Sequence, residues 1–303
     1  TLHLARSTCS CATAVSSLTC APTHYPNPDP NPDPNPDPNP DPDPNPNSDP
    51  NPNPDQVRAT WAKFSQGKAA PRLDVLVCNA GVLLNELTLT SERVEVTFAC
   101  HLLFGTYLLG KLALPALEAT AGGRLVVVSS GGMYNSKFPS WETAASLEGE
   151  FSGNLAYAFA KRGQVLLCER WAEEHPAVKF VSCHPGWTAT PAVDAAYGDM
   201  KKYLEPMRSP WQGADGIAWL CVVDAAALQS GAFYLDRKVG PKHIAGPFFT
   251  EGKYTKNTRA EVDAMMTLTL ALVLALTLTL TLTLPLTLTL TLALTLTLTR
   301  STR

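Results

Sequence analysis

The chain is 303 residues long, 45% hydrophobic and 17% charged, with a formal net charge of −3 at pH 7. So balanced a charge, without a basic stripe interleaved with aromatics, excludes the usual footprint of a nucleic-acid binder. Eight scattered cysteines argue against a disulfide scaffold. Cys78, Cys100, Cys168, Cys183 and Cys221 sit in apolar contexts and read as reduced core residues of a reducing, cytoplasmic compartment. Cys9, Cys11 and Cys20 have no second ligand pair at a metal-site spacing, so no metal is expected.

Residues 1–25 are rich in Ser, Thr, Ala and Cys, with Arg6 the only strong cation, and read as a disordered leader or the end of an organellar transit peptide. In residues 26–54 proline alternates with Asn or Asp, which removes backbone donors and apolar side chains. An extended polyproline-like or disordered segment follows. Residues 55–250 have ordinary globular composition and form the one expected domain. Residues 251–303 form a tail that ends in Thr-Leu repeats, whose strict alternation suits a strand. It reads as the product of a nucleotide repeat, with a membrane anchor as the lesser reading.

Within the domain, Val57, Trp61 and Phe64 share one side of a helix over residues 55–64. Leu73–Cys78 is an apolar run of strand length, as in a parallel sheet covered on both faces, and Asn79-Ala80-Gly81 turns the chain after it. Thr90 or Ser91 is placed to cap a helix running to Leu117. Gly122-Gly123 precedes a strand over residues 124–129. The long connection from Gly131 to Gly153 carries Tyr134, Phe138, Trp141 and Phe151, which either shape a bulky apolar pocket or cover the sheet edge. A helix over residues 157–174 presents Arg162, Glu169 and Arg170 as solvated charges. A strand over residues 178–183 leads to Pro185-Gly186, a turn that lets the backbone approach a ligand at the carboxyl end of the sheet, while His184 packs behind it. A helix over residues 211–227 and a strand over residues 231–235 complete the pattern.

Tyr157 and Lys161 are four apart and share a helix face, so an ammonium beside a phenol is expected to lower the phenol's pKa from its usual value near about 10. Ser130 ends a strand where its hydroxyl can share the charge on a substrate oxygen. Ser130, Tyr157 and Lys161 are therefore the candidate catalytic residues, for proton delivery to a carbonyl while something else delivers hydride. A Tyr-x-x-x-Lys pair alone is more often a solvated helix face; its company decides.

That company is Ser129-Ser-Gly-Gly-Met133, Tyr157-Ala-Phe-Ala-Lys-Arg162, Glu169-Arg-Trp-Ala172 and His184-Pro-Gly-Trp-Thr-Ala-Thr-Pro191. In this order the motifs resemble the short-chain dehydrogenase/reductase family, and within it the dehydrogenase/reductase family member 12 branch. The resemblance covers residues 55–238. It implies an α/β fold with a Rossmann-like, doubly wound parallel sheet. It also implies NAD or NADP as cofactor and a small-molecule carbonyl or alcohol as substrate, which the loop aromatics suggest is apolar; nucleic acid is not expected, and membrane association is the lesser reading of the tail. The cofactor would lie along Asn79, Ala80 and Gly81, with Tyr157, Lys161, Pro185, Gly186 and Thr190 on its nicotinamide side, Thr190 holding the carboxamide.

The sequence departs from that family in two places. Its catalytic asparagine should fall three residues after Phe98 and three before Gly105. The counts disagree by one, giving His101 and Leu102, and neither is Asn. His101 is then a relay by imidazole or an ordinary helix histidine. The family's opening Thr-Gly-x-x-x-Gly-x-Gly turn is not found, and the Asn-Pro repeat stands where its strands would be. The expected fold is thus an incomplete sheet lacking its first βαβαβ half, with Leu73–Cys78 as a bare apolar edge. The pyrophosphate anchor would be lost, leaving either an impaired oxidoreductase or a catalytically silent scaffold or binding protein.

Overall fold

Short apolar runs bounded by Gly, Asn and Pro make the centre of the fold. The computed structural model describes residues 13–15, 52–68, 70–145, 150–190, 193, 197–247 and 249–278. In it β2 (Val75–Cys78), β3 (Arg124–Val128), β4 (Lys179–Cys183) and β5 (Phe233–Leu235) lie parallel in that order. All five residues of β3 are buried, as a strand covered on both faces requires. Cys78 pairs with Val127, and Val128 with Cys183. The carboxyl ends of β2, β3 and β4 are therefore level, so the segments after them emerge side by side.

Two antiparallel strands flank this core. β6 (Lys238–Gly240) returns on β5 through Asp236 and Arg237, both at positive φ (51° and 63°), the conformation a two-residue hairpin demands. β1 (Thr13–Val15) pairs with β2, Thr13 opposite Val77 and Val15 opposite Val75. The edge expected to be bare is thus paired, by residues read from sequence as leader. The rest of that leader, nearly all of the Asn-Pro repeat and residues 279–303 of the Thr-Leu tail lie outside the described residues.

α1 (Pro54–Ser65) is capped by Asn53, whose side chain accepts from Asp55 N at 2.8 Å, and buries Val57. α2 (Val96–Glu118) begins later than the sequence suggests. Arg93 at φ 63° turns the chain after Thr90, and the Glu95 carboxylate, not Thr90 or Ser91, accepts from Thr97 N at 2.8 Å and Phe98 N at 2.7 Å. This helix is long and apolar enough to cross a membrane, but 89% of its apolar window is buried inside the protein, so it is a core helix. α3 (Trp141–Ala144) and α4 (Gly153–Glu174) follow. α5 (Pro210–Val222) opens on a reciprocal cap between Ser209 and Gln212.

α6 (Arg259–Leu278) was not expected. The Thr-Leu repeat begins inside it, as helix rather than strand. A second reciprocal cap, Glu261 N to Thr258 Oγ1 at 3.2 Å and Thr258 N to the Glu261 carboxylate at 2.8 Å, starts the helix. Burial of Met265, Leu272, Val273 and Leu276 in the core then outweighs the period-two pattern, each such side chain being worth about 1.5–3 kcal/mol. The charges expected to be solvated on α4 tie it to this C-terminal region. Arg170 pairs with Glu173, Glu174 and Asp263, and Glu169 pairs with Lys242 at 2.5 Å. Arg162 is 1% exposed, bonded to Thr255 O, Lys242 O and His243 Nδ1.

Candidate active site

The level ends of β2, β3 and β4 open onto a cavity of about 460 Å³. Asn79, Gly81, Ser130, Tyr157, Lys161, Pro185, Gly186 and Thr190 all line it; Ala80 sits in the same turn but does not. Residues spread over 112 positions of sequence, from Asn79 to Thr190 counted inclusively, thus meet in one hollow.

Ser130 leaves β3 with extended backbone and caps the 3-10 turn Gly131–Tyr134, its hydroxyl accepting from Gly132 N at 3.2 Å. The Tyr157 ring and the same hydroxyl both flank Gly132, where an added Cβ would lie 3.2 Å from Tyr157 Cε1 and 3.7 Å from Ser130 Oγ. Lys161, one turn along α4, is 3% exposed, and its Nζ donates to Val128 O at 2.8 Å. Ser129 Oγ donates to Lys161 O at 2.9 Å, so both residues at the end of β3 hold α4 in place.

The expected acidification of the phenol by Lys161 is not met. Burial pushes the Tyr157 pKa up, and the Ser130 hydroxyl, not the ammonium, pulls it back. Lys161 Nζ lies 5.4 Å from the tyrosine ring centroid with its hydrogen bond committed to the sheet. Burial lowers its own pKa to about 8. The pair holds a protonated phenol, a proton donor, rather than a phenolate.

The one-residue disagreement in α2 has a structural answer. Ala99–Leu108 is π-helical, with Thr106 Oγ1 donating to His101 O at 2.6 Å, five residues back. A π segment takes up one extra residue while both flanks keep their faces. His101 consequently faces the cavity, and Leu102 is buried in the core against Gly163. The His101 ring stands edge-on to Tyr157, centroids 5.4 Å apart at 85°. Its Nε2 lies 2.8 Å from Val82 O and 3.1 Å from Val82 N. Nδ1 is buried without a partner. Burial, reinforced by Lys161, lowers the His101 pKa well below the ordinary histidine value, so the ring is neutral. Gln164 Nε2 reaches across from α4 to His101 O at 2.9 Å.

Gly186 takes φ 78°, and Arg208 Nη1 donates to Pro185 O at 3.3 Å while its guanidinium forms a two-point pair with Asp236 at 2.5 and 2.8 Å. Of the two readings of the loop aromatics, pocket or sheet cover, the pocket one is not met: Tyr134, Phe138, Trp141 and Phe151 do not line the cavity. Phe138 and Trp141 are in the core, and Tyr134 packs on Phe233 with its hydroxyl on Pro241 O. Trp187 and Tyr197, in edge contact at 5.4 Å, line it instead, with Val82, Leu83 and Ile217. Sequence reasoning missed both; the only signal was Trp187 directly after the Pro-Gly turn.

The residues present fit the nicotinamide-riboside end of a dinucleotide, since Asn79, Tyr157, Lys161 and Thr190 converge on one cavity with the backbone of Gly81 and Gly186 in its lining. Before Gly81 the sequence has one glycine, Gly67, and so no Gly-rich turn for a pyrophosphate. Among the described residues no group of His, Cys, Asp and Glu could hold a metal ion.

The short chain dehydrogenase family model matches residues 52–201. Over 186 residues the chain is 41% identical to human "Dehydrogenase/reductase SDR family member 12", covering 61% of this chain and 58% of that protein. It is 30% identical over 199 residues to "Putative daunorubicin C-13 ketoreductase DnrU" of Streptomyces sp. (strain C5), covering 64% and 66%. Among solved structures, the 3-alpha-hydroxysteroid dehydrogenase from Pseudomonas sp. B-0831 complexed with NADH superposes with a TM-score of 0.47 at 21% identity, over 60% of this chain and 77% of that one. The chain spans less than two thirds of the length of the curated relatives it matches. Because the matched segment is the one that carries Ser130, Tyr157 and Lys161 to a common cavity, the chain belongs to the short-chain dehydrogenase/reductase family.

Proposed function

We propose that this chain is a nicotinamide-dependent oxidoreductase that interconverts a carbonyl and an alcohol, with Tyr157 exchanging the proton. One observation carries this reading: the Tyr157 phenol ring and the Ser130 hydroxyl flank Gly132 inside a cavity that Lys161 and His101 also line, and burial favours the protonated phenol. Asn79, the Pro185-Gly186 turn and Thr190 would hold a nicotinamide, which would supply or take the hydride. Ser130 holds the carbonyl oxygen, and Tyr157 gives that oxygen its proton as the carbon is reduced. The hydride forms the new C–H bond, the phenol's proton forms the O–H bond, and the phenolate left behind is reprotonated from solvent. Lys161 keeps a cation one helical turn away, where it offsets that transient negative charge.

The apolar wall of Val82, Leu83, Trp187, Tyr197 and Ile217 supports an apolar carbonyl compound as substrate. The printed name of the Streptomyces relative, a ketoreductase, agrees. Buried thiols at Cys168 and Cys183 suit a reducing compartment such as the cytoplasm. Titration calorimetry with NADPH and NADH tests the cofactor: the reading expects one of them to bind in the micromolar range. Failure of both would overturn it and leave a silent member of the fold.

A further inference from the structure

The Ser130 loop and the Pro185-Gly186 turn leave the neighbouring strands β3 and β4 side by side, and both line the cavity. One atom joins them. His184 Nδ1 lies 3.2 Å from Gly131 N and 3.3 Å from Gly186 N. Both backbone groups can only donate, so Nδ1 must be unprotonated and the ring carries its hydrogen on Nε2. Its own backbone is fixed, with His184 N donating to Tyr234 O at 3.0 Å. The ring also fills the space beside Gly131, where an added Cβ would lie 3.1 Å from Nε2.

We infer that His184 is a positioning residue, a clamp that makes the Pro185-Gly186 turn and the Ser130 loop move as one, so that a ligand seated on the turn also sets the Ser130 hydroxyl. The inference rests on the proposed function for its catalytic consequence, but the clamp itself is a property of the two loops. Two independent attachments make it rigid. Arg208 holds the turn from the far side through Pro185 O and is itself fixed by Asp236. Ser130 Oγ holds Gly132 N on the loop side. Without the Nδ1 acceptor, Gly131 N and Gly186 N would both need water in a half-buried position.

Asparagine places Oδ1 where histidine places Nδ1, at the same remove from the backbone, whereas leucine offers shape without an acceptor. We therefore compare His184→Leu and His184→Asn by amide hydrogen exchange at Gly131 and Gly186, and by kcat and KM where turnover is measurable. In His184→Leu both amides should exchange at least about tenfold faster, together, and kcat should fall by about the same factor with KM for the ketone little changed. His184→Asn should restore slow exchange and most of kcat. Unchanged exchange at either glycine in the leucine variant, or an asparagine variant no better than leucine, overturns the clamp. The exchange readout needs no turnover, so its failure is distinct from failure of the redox reading.

Should the leucine variant not fold, the wild-type protein supplies a second test. Burial lowers the His184 pKa to about 4; Arg208 and Lys161 lower it further and Asp236 opposes them. On acidification the Gly131 and Gly186 amide signals should shift together, with one midpoint near that value. Independent midpoints would contradict the clamp.

Discussion

Gly81 and His101 are fitted to one another: a methyl group at Gly81 would lie 2.0 Å from the imidazole Cε1 and 2.7 Å from Nδ1. The same ring is edge-on to Tyr157. Gly81→Ala should therefore displace the imidazole without backbone strain, since Gly81 is not at positive φ. Ketone reduction should fall about tenfold or more, with a loss of stability of about 1–3 kcal/mol from the overpacked ring, and His101→Leu should lower turnover alike. The double variant should lose no more than either single one, because both act through one ring. Additive losses would separate the two residues.

Lys161 gives a sign that can be checked. Its folded pKa of about 8 lies below the ordinary lysine value of 10.5, chiefly through burial. Between those values the unfolded chain holds the proton and the native state does not, so native stability rises with pH across that window. Below about pH 8 the cost of burying the charge is fully present, on the order of 3 kcal/mol from the shift. Lys161→Met removes this dependence. Its stability relative to wild type, from urea unfolding, should drop by roughly that amount between pH 7.5 and about pH 10.5. A constant difference would mean that the ammonium is not desolvated.

Arg162 should matter to folding rather than chemistry. Its guanidinium bonds Thr255 O, Lys242 O and His243 Nδ1, and burial lowers its pKa to about 10. Arg162→Met would orphan these acceptors at about 1–3 kcal/mol each where water cannot reach them. Unfolding free energy should fall by about 3 kcal/mol, and limited proteolysis should open residues 242–256 first. Resistance equal to wild type would show that the segment is held by other contacts.

Where apolar runs and turn residues agree with each other, the fold was readable. β2, β3, β4 and α4 lie within a residue or a few of their expected places, and Ser130, Tyr157 and Lys161 share the cavity they were expected to share. What was not readable depended on contacts between distant segments. The start of α2 was set by Glu95 and Arg93, and no cap signal outranks the Thr90 and Ser91 hydroxyls in the sequence alone. The choice between His101 and Leu102 needed the π segment, which absorbs the very offset that made the two counts disagree. Arg162 read as solvated because its acceptors lie eighty or more residues away. The direction of the Tyr157 pKa was missed because helical spacing places Lys161 near the ring but does not reveal that the phenol is buried, the chief cause of the rise, or that Val128 O holds the lysine Nζ.

The central claim is that the Tyr157 phenol supplies the proton while hydride reaches a carbonyl carbon in the same cavity. It is tested most directly by incubating wild type and Tyr157→Phe with 4-deuterated NADPH or NADH and a panel of apolar ketones, and measuring deuterium in the alcohols by mass spectrometry. Wild type should deliver one deuterium to carbon, and the phenylalanine variant should be slower by about 100-fold or more while still binding the nucleotide. Deuterium transfer by Tyr157→Phe at the wild-type rate would contradict the account.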